Sequence, residues 1–152
     1  MIAIVDYGVG NLFSVEKAFL KFSPDVVLTS DAKVIEKADK IVLPGVGAFG
    51  DCMKNFEQSG LKNSVLEAIE QGKPVMGICV GEQIMFEGSE ESPEVKGLGI
   101  FKGIVKKINA PGLKIPHMGW NSIVIDEENN QNVDINLFAG LKLWFIYPIF
   151  KE

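Results

Sequence analysis

With 152 residues, 47% of them hydrophobic and 23% charged, the chain has the composition of one globular domain and lies far from the low-hydrophobicity, high-charge signature of disorder. Lys and Arg number 15 against 20 Asp and Glu, and the net charge of −5 offers no basic surface to a phosphate backbone, so nucleic acid is excluded as an expected partner. No apolar run has the length of a membrane span, and "MIAIVDYG" lacks the basic start and cleavage site of a signal peptide, so a cytosolic protein with no membrane partner is expected.

Taken in chain order, "IAIVDY" reads as a short apolar strand running into the turn "GVGN", after which Leu12, Val15, Phe19 and Phe22 recur at helical spacing. "DVVLTS" is a second strand and "DKIVLPG" a third, fully apolar over residues 41–43 as a strand covered on both faces would be. Past the loop "PGVGAFGD", Cys52 reads as a packing residue near a helix start. Leu61, Val65, Leu66 and Ile69 form the stripe of a helix that ends at Gly72, and "KPVMGI" follows as a fourth buried strand. The order βαβαβαβ predicts an α/β fold: a doubly wound, mostly parallel sheet with helices on both faces. Beyond residue 98, "GIVKKI", "WNSIVID" and "LWFIYPIF" are strand-like, as added or antiparallel strands at a sheet edge. No repeat, low-complexity tract or linker interrupts the chain, and residues 1–152 are expected to form a single domain.

The two cysteines, Cys52 and Cys79, are expected to be free thiols in a reducing compartment. Together with one histidine they occur at no usual metal-ligand spacing, and no metal is expected. "DYGVGN" is only a partial match to a dinucleotide fingerprint, and no cofactor is expected.

Gly77, Ile78, Cys79, Val80 and Gly81 spell G-x-C-x-G, the thiol counterpart of a nucleophile elbow. Glycines flank such a turn because the nucleophile's backbone is strained and neighbouring backbone comes too close for a β-carbon. A helix starting near Gly81 would aim its N-terminal amides at the sulfur and favour thiolate. On the pentad alone, a small buried cysteine in a tight turn is an equally good reading. The loop "PGVGAFG" after the neighbouring strand shifts the balance, because it offers amide donors for an oxyanion at the carboxyl ends of the strands.

The segments "IVDYGVGNLFSVEKAF", "KIVLPGVGAFGDCM", "KPVMGICVGEQIMFEGSEE" and "IPHMGWN", in that order, resemble the glutamine amidotransferase subunit of imidazole glycerol phosphate synthase, a class I, triad-type glutaminase of histidine biosynthesis. The resemblance covers nearly the whole chain and implies a flavodoxin-like class I amidotransferase fold. It implies that Cys79 attacks the side-chain amide of glutamine, releasing ammonia and leaving a glutamyl thioester. The amide of Val80 and one from the turn of Gly45, Val46 and Gly47, at Val46, would hold the oxyanion. Gln83 and Glu91 match glutamine-binding positions. Asn11, Met118 and Trp120 match the face that meets a (β/α)₈ barrel cyclase subunit, which receives the ammonia. One departure is Glu82, where the family commonly carries an apolar residue; a carboxylate there opposes thiolate formation.

The family's remaining triad members, a histidine and a glutamate in a histidine-proline-glutamate motif, have no match in the 152 residues, and His117 belongs to "PHMGWN". An impaired glutaminase is therefore expected, with two alternatives: a non-catalytic scaffold that binds the synthase subunit, or an amidotransferase subunit serving a sugar-amidating barrel. Agreement with the family stops after Ile146, and residues 148–150 read as the shifted-frame product of Ser-Tyr-Phe codons, so a domain incomplete at its C-terminus is expected. The apolar run 143–150 would then leave a bare strand edge, and self-association through that C-terminal strand is expected.

Overall fold

The computed structural model describes residues 1–109, 111 and 112, and the backbone of two further strands, Met118–Ser122 and Lys142–Ile146. Two compact units result, one built on Met1–Lys107 and the other on Ile108–Ile149.

The first unit runs β1 (Ile2–Val5), α1 (Leu12–Phe19), β2 (Val26–Thr29), α2 (Ala32–Lys37), β3 (Lys40–Gly45), α3 (Phe49–Gln58), α4 (Lys62–Glu70), β4 (Val75–Cys79), α5 (Val80–Gln83), β5 (Phe86–Ser89) and β6 (Phe101–Val105). Four strands pair in parallel in the order β2-β1-β3-β4. The chain moves one way from β1 to β2 and then back past β1 to β3. Right-handed crossovers therefore put α1 on one face and α2, α3 and α4 on the other, giving the doubly wound sheet expected. α2 packs on α4 accordingly.

Burial follows the layering. Ala3, Ile4 and Val5 of β1 and Ile41, Val42 and Leu43 of β3 are buried, as central parallel strands covered on both faces must be. In α3, Phe49, Cys52, Met53 and Phe56 recur at helical spacing and are all buried, with Cys52 in the first turn as a packing residue. α4 adds Val65 and Ala68, and Leu61 packs just ahead of it.

Two elements differ from expectation. α1 buries no residue, and it ends at Phe19, so Phe22 falls in the following turn and is 89% exposed. β4 is only half-buried, with Met76 56% exposed, because among the described residues it ends the four-stranded order and has a neighbour on one side only. The strand expected at "GIVKKI" lies slightly earlier, as β6, and pairs in parallel with β5, whose sequence FEGS carries too little apolar alternation to announce a strand.

In the second unit, β7 (Met118–Ser122) and β8 (Lys142–Ile146) pair antiparallel from Met118↔Ile146 to Ser122↔Lys142 and form a two-stranded sheet of their own. His117 and residues 147–150 lie outside the described residues. No helix among the described residues is long and apolar enough to cross a membrane.

The fold predicts one large single-site effect. Phe56 is fully buried and meets the Tyr7 ring edge-on at 5.0 Å, so Phe56→Ala should cost roughly 3–5 kcal/mol in urea denaturation, the usual range for emptying an aromatic core site.

Candidate active site

The register of β3 and β4 brings the two suspected loops together. Gly45, the last residue of β3, stands opposite Cys79, the last residue of β4. Cys79 is both the end of the strand and the cap of α5, at φ 57° and ψ −123°. Among the described residues it is the one non-glycine with positive φ, a conformation that costs about 1–3 kcal/mol and persists only when its surroundings impose it.

Three glycines impose it by close backbone approach. A Cβ at Gly81 would sit 2.0 Å from the Leu43 carbonyl oxygen, one at Gly45 would sit 2.3 Å from the Gly81 nitrogen, and one at Gly77 would sit 2.4 Å from Glu82 Cα. The turn can therefore close only without these side chains. Its product is an exposed thiol on a rigid strand end, and both cysteines are free. The helix behind the thiol is shorter than expected. α5 has a single turn, so its field at the sulfur comes from a few local amides and not from an accumulated dipole.

Val46 follows Gly45 out of the strand and is 48% exposed. Gly47 has φ +90° with nothing within 4 Å of an added Cβ, so there the conformation and not the space requires glycine. Val80, next to the thiol, is buried. Gln83 lies one turn beyond Cys79 and is 5% exposed, which places it inside the fold and not on a solvent-facing helix turn.

Glu91 is brought to the same region by a cap. α3 has Ala48 at its N-cap and no side-chain cap of its own. Its first amides are taken from across the fold: the Phe49 N–H donates to Glu91 Oε2 at 2.9 Å and the Gly50 N–H donates to Ser92 Oγ at 3.2 Å. A carboxylate at a helix N-terminus is favourably placed for charge as well as for hydrogen bonding. Ser92 was not singled out from the sequence, where "GSEES" shows nothing of a partner 42 residues away. Gly50 and Ser92 of this seam also line a cleft of about 450 Å³, together with Asp51, Lys54, Glu57 and Glu94 among others, and it contains no cysteine.

Glu82 is partly buried against Gly77, and desolvation raises its carboxyl above the ordinary glutamate range. Asn11 caps α1, its Oδ1 accepting from the Ser14 N–H at 3.4 Å. Met118 and Trp120 alternate with Gly119 on β7; their side chains lie outside the described residues.

A family model described as glutamine amidotransferase class-I matches residues 3–146. The chain belongs to the class I glutamine amidotransferases. Among this class, it is 50% identical over 155 residues to the imidazole glycerol phosphate synthase subunit HisH of Methanothermobacter thermautotrophicus, which covers 100% of this chain and 74% of that protein. The HisH subunit of Geobacter metallireducens is 42% identical over 157 residues, covering 99% and 74%, and that of Aquifex aeolicus 50% over 140 residues, covering 91% and 64%. Within the class the chain therefore belongs to the HisH family. A solved structure titled as a glutamine amidotransferase superposes at a TM-score of 0.64 with 19% identity, over 80% of this chain, and this amidotransferase chain spans 63% of the length of that one.

The elbow yields two predictions. Gly81→Ala should destabilise the protein by about 3 kcal/mol or more, since its Cβ meets backbone that cannot yield; a thermal midpoint within about 1 °C of the parent would refute this. Glu82 holds its proton more tightly folded than unfolded. Stability is thus greatest below the ordinary glutamate value and falls as pH rises through the raised folded value. Glu82→Gln should accordingly raise the melting temperature at pH 7, with the gain vanishing near pH 4, in paired thermal melts.

Proposed function

We propose that the chain is the glutaminase subunit of an imidazole glycerol phosphate synthase, hydrolysing glutamine and passing ammonia to a (β/α)₈ barrel cyclase subunit in histidine biosynthesis. The observation that carries this is the exposed Cys79 at φ 57°, held in register opposite Gly45, where the turn of residues 45–47 begins. The 42–50% identity to proteins named as subunits of that synthase supports the pathway.

In this reading Cys79 Sγ attacks the side-chain amide carbon of glutamine. The N–H groups of Val46 and Val80 donate to the oxyanion, with Gly45 and Gly47 shaping the turn between them. The carbon–nitrogen bond breaks, the leaving nitrogen takes the proton given up by the thiol and departs as ammonia, and water cleaves the glutamyl thioester to glutamate and thiol. Gln83 and Glu91 bind the substrate, the Glu91 carboxylate being held in place by the bond that its Oε2 accepts from the Phe49 N–H. Asn11, Met118 and Trp120 form the face for the cyclase subunit. Residues 1–152 act as a single amidotransferase-like domain, in keeping with a family match that runs over both compact units. The working compartment is the cytoplasm.

Thiol chemistry of this kind also needs a group that takes and returns a proton, and the single histidine of these 152 residues is His117. The alternative reading is a non-catalytic scaffold docked on the synthase subunit.

Ammonia release from glutamine, measured with a barrel cyclase present, separates them. Release that falls by roughly 10³-fold or more in Cys79→Ala supports the glutaminase. Equal release from parent and variant sinks it, and silent but intact docking by both leaves the scaffold.

A further inference from the structure

Pro44 is gripped from several sides at the carboxyl edge of β3. It is fully buried, Gly10 lies against its ring where a Cβ would stand 3.3 Å from Pro44 Cβ, and Gly81 lies against its carbonyl carbon at 2.8 Å by the same measure. The Tyr7 hydroxyl donates to its carbonyl oxygen. Tyr7 is 4% exposed, and its oxygen is 3.1 Å from Cys52 Sγ. Burial raises both the phenol and the thiol above their ordinary ranges, so both keep their protons at neutral pH. The phenol's one proton is committed to Pro44, and the Cys52 S–H then donates into the phenol oxygen, giving a relay of three groups from α3 to the end of β3.

The position of this bond in the sheet gives it a consequence. Pairing between β1 and β3 ends at Ile4↔Val42, two residues short of Pro44. On the opposite side β3 stays paired to its end, Pro44↔Ile78 and Gly45↔Cys79. β1 and β3 flank the point where the winding of the sheet reverses, and there a doubly wound sheet opens at its carboxyl edge. Pro44 has no N–H to offer a neighbour, so its carbonyl is its one hydrogen-bonding handle. Because the peptide is planar, fixing that oxygen fixes the direction of the Gly45 N–H and the entry into Val46 and Gly47.

We propose that Tyr7 is a positioning residue, which by holding the Pro44 carbonyl across the opening between β1 and β3 sets the orientation of the 45–47 turn against Cys79. Its effect on turnover rests on the glutaminase reading; the positioning itself does not. A phenylalanine would fill the same core volume, so the hydroxyl is the part that acts on the turn.

Tyr7→Phe in the full chain tests this by amide relaxation. The order parameters of Val46 and Gly47 are expected to fall from about 0.85 to below about 0.6, while those of β1 and β2 stay unchanged. Cys52→Ala, which keeps the bond from Tyr7 to Pro44, should leave the turn ordered. In ammonia release, Tyr7→Phe should lower kcat roughly 10-fold with KM within about 2-fold, a smaller loss than removing an oxyanion donor outright. An ordered turn in Tyr7→Phe, or loosening spread evenly over the sheet, would overturn the proposal. A parent chain that releases no ammonia overturns the glutaminase reading alone, and the order parameters then decide the positioning by themselves.

Discussion

The constraint on which the rest of this protein depends is a backbone-on-backbone contact among β3, β4 and α5. Gly81 lies on the Leu43 carbonyl, Gly45 on the Gly81 amide and Gly77 on the backbone of Glu82, each closer than a β-carbon allows. That interlock holds Cys79 in a backbone conformation that a cysteine would leave if it were free to do so. It also holds Gly45 across from the thiol, so Cys79 and the turn that begins at Gly45 share one rigid platform. The strain is local, and the contacts that sustain it come from β3, β4 and α5.

Around this platform the site is assembled by side chains that cross long stretches of sequence. Glu91 and Ser92 reach back to the first amides of α3, giving an otherwise uncapped helix its partners and tying the loop after β5 to the turn after β3. Tyr7 reaches from the end of β1 to Pro44. Each bond satisfies a buried polar group that would be costly to leave alone, and each also fixes a loop that carries a site residue. Stability and geometry are therefore supplied by the same contacts. Glu82 works against stability: its carboxyl is partly desolvated, where an apolar residue would carry no such penalty.

How much of this was legible depends on the range of the interaction. The apolar run at 41–43, the glycine spacing at Gly77 and Gly81 and the stripe on α4 all follow from neighbours within a few residues, and they led correctly to a doubly wound sheet with a cysteine turn. The burial of β4 and the extent of α1 differ from expectation because both depend on what lies opposite: Met76 is exposed at the end of the strand order among the described residues, and Phe22 sits past the end of a two-turn helix. β5 went unread because its four residues pair with β6 without an alternating pattern of their own.

The sequence by itself determined the fold class, the place of the cysteine turn and the family, since hydrophobic period and glycine spacing are local properties that survive without knowledge of partners. Only the tertiary structure decided that Gly45 faces Cys79, that Glu91 caps α3, that Gln83 is buried and that the Tyr7 hydroxyl lands on Pro44. Strand order and register place those groups together, and both are set by packing between segments tens of residues apart, which no local spacing encodes.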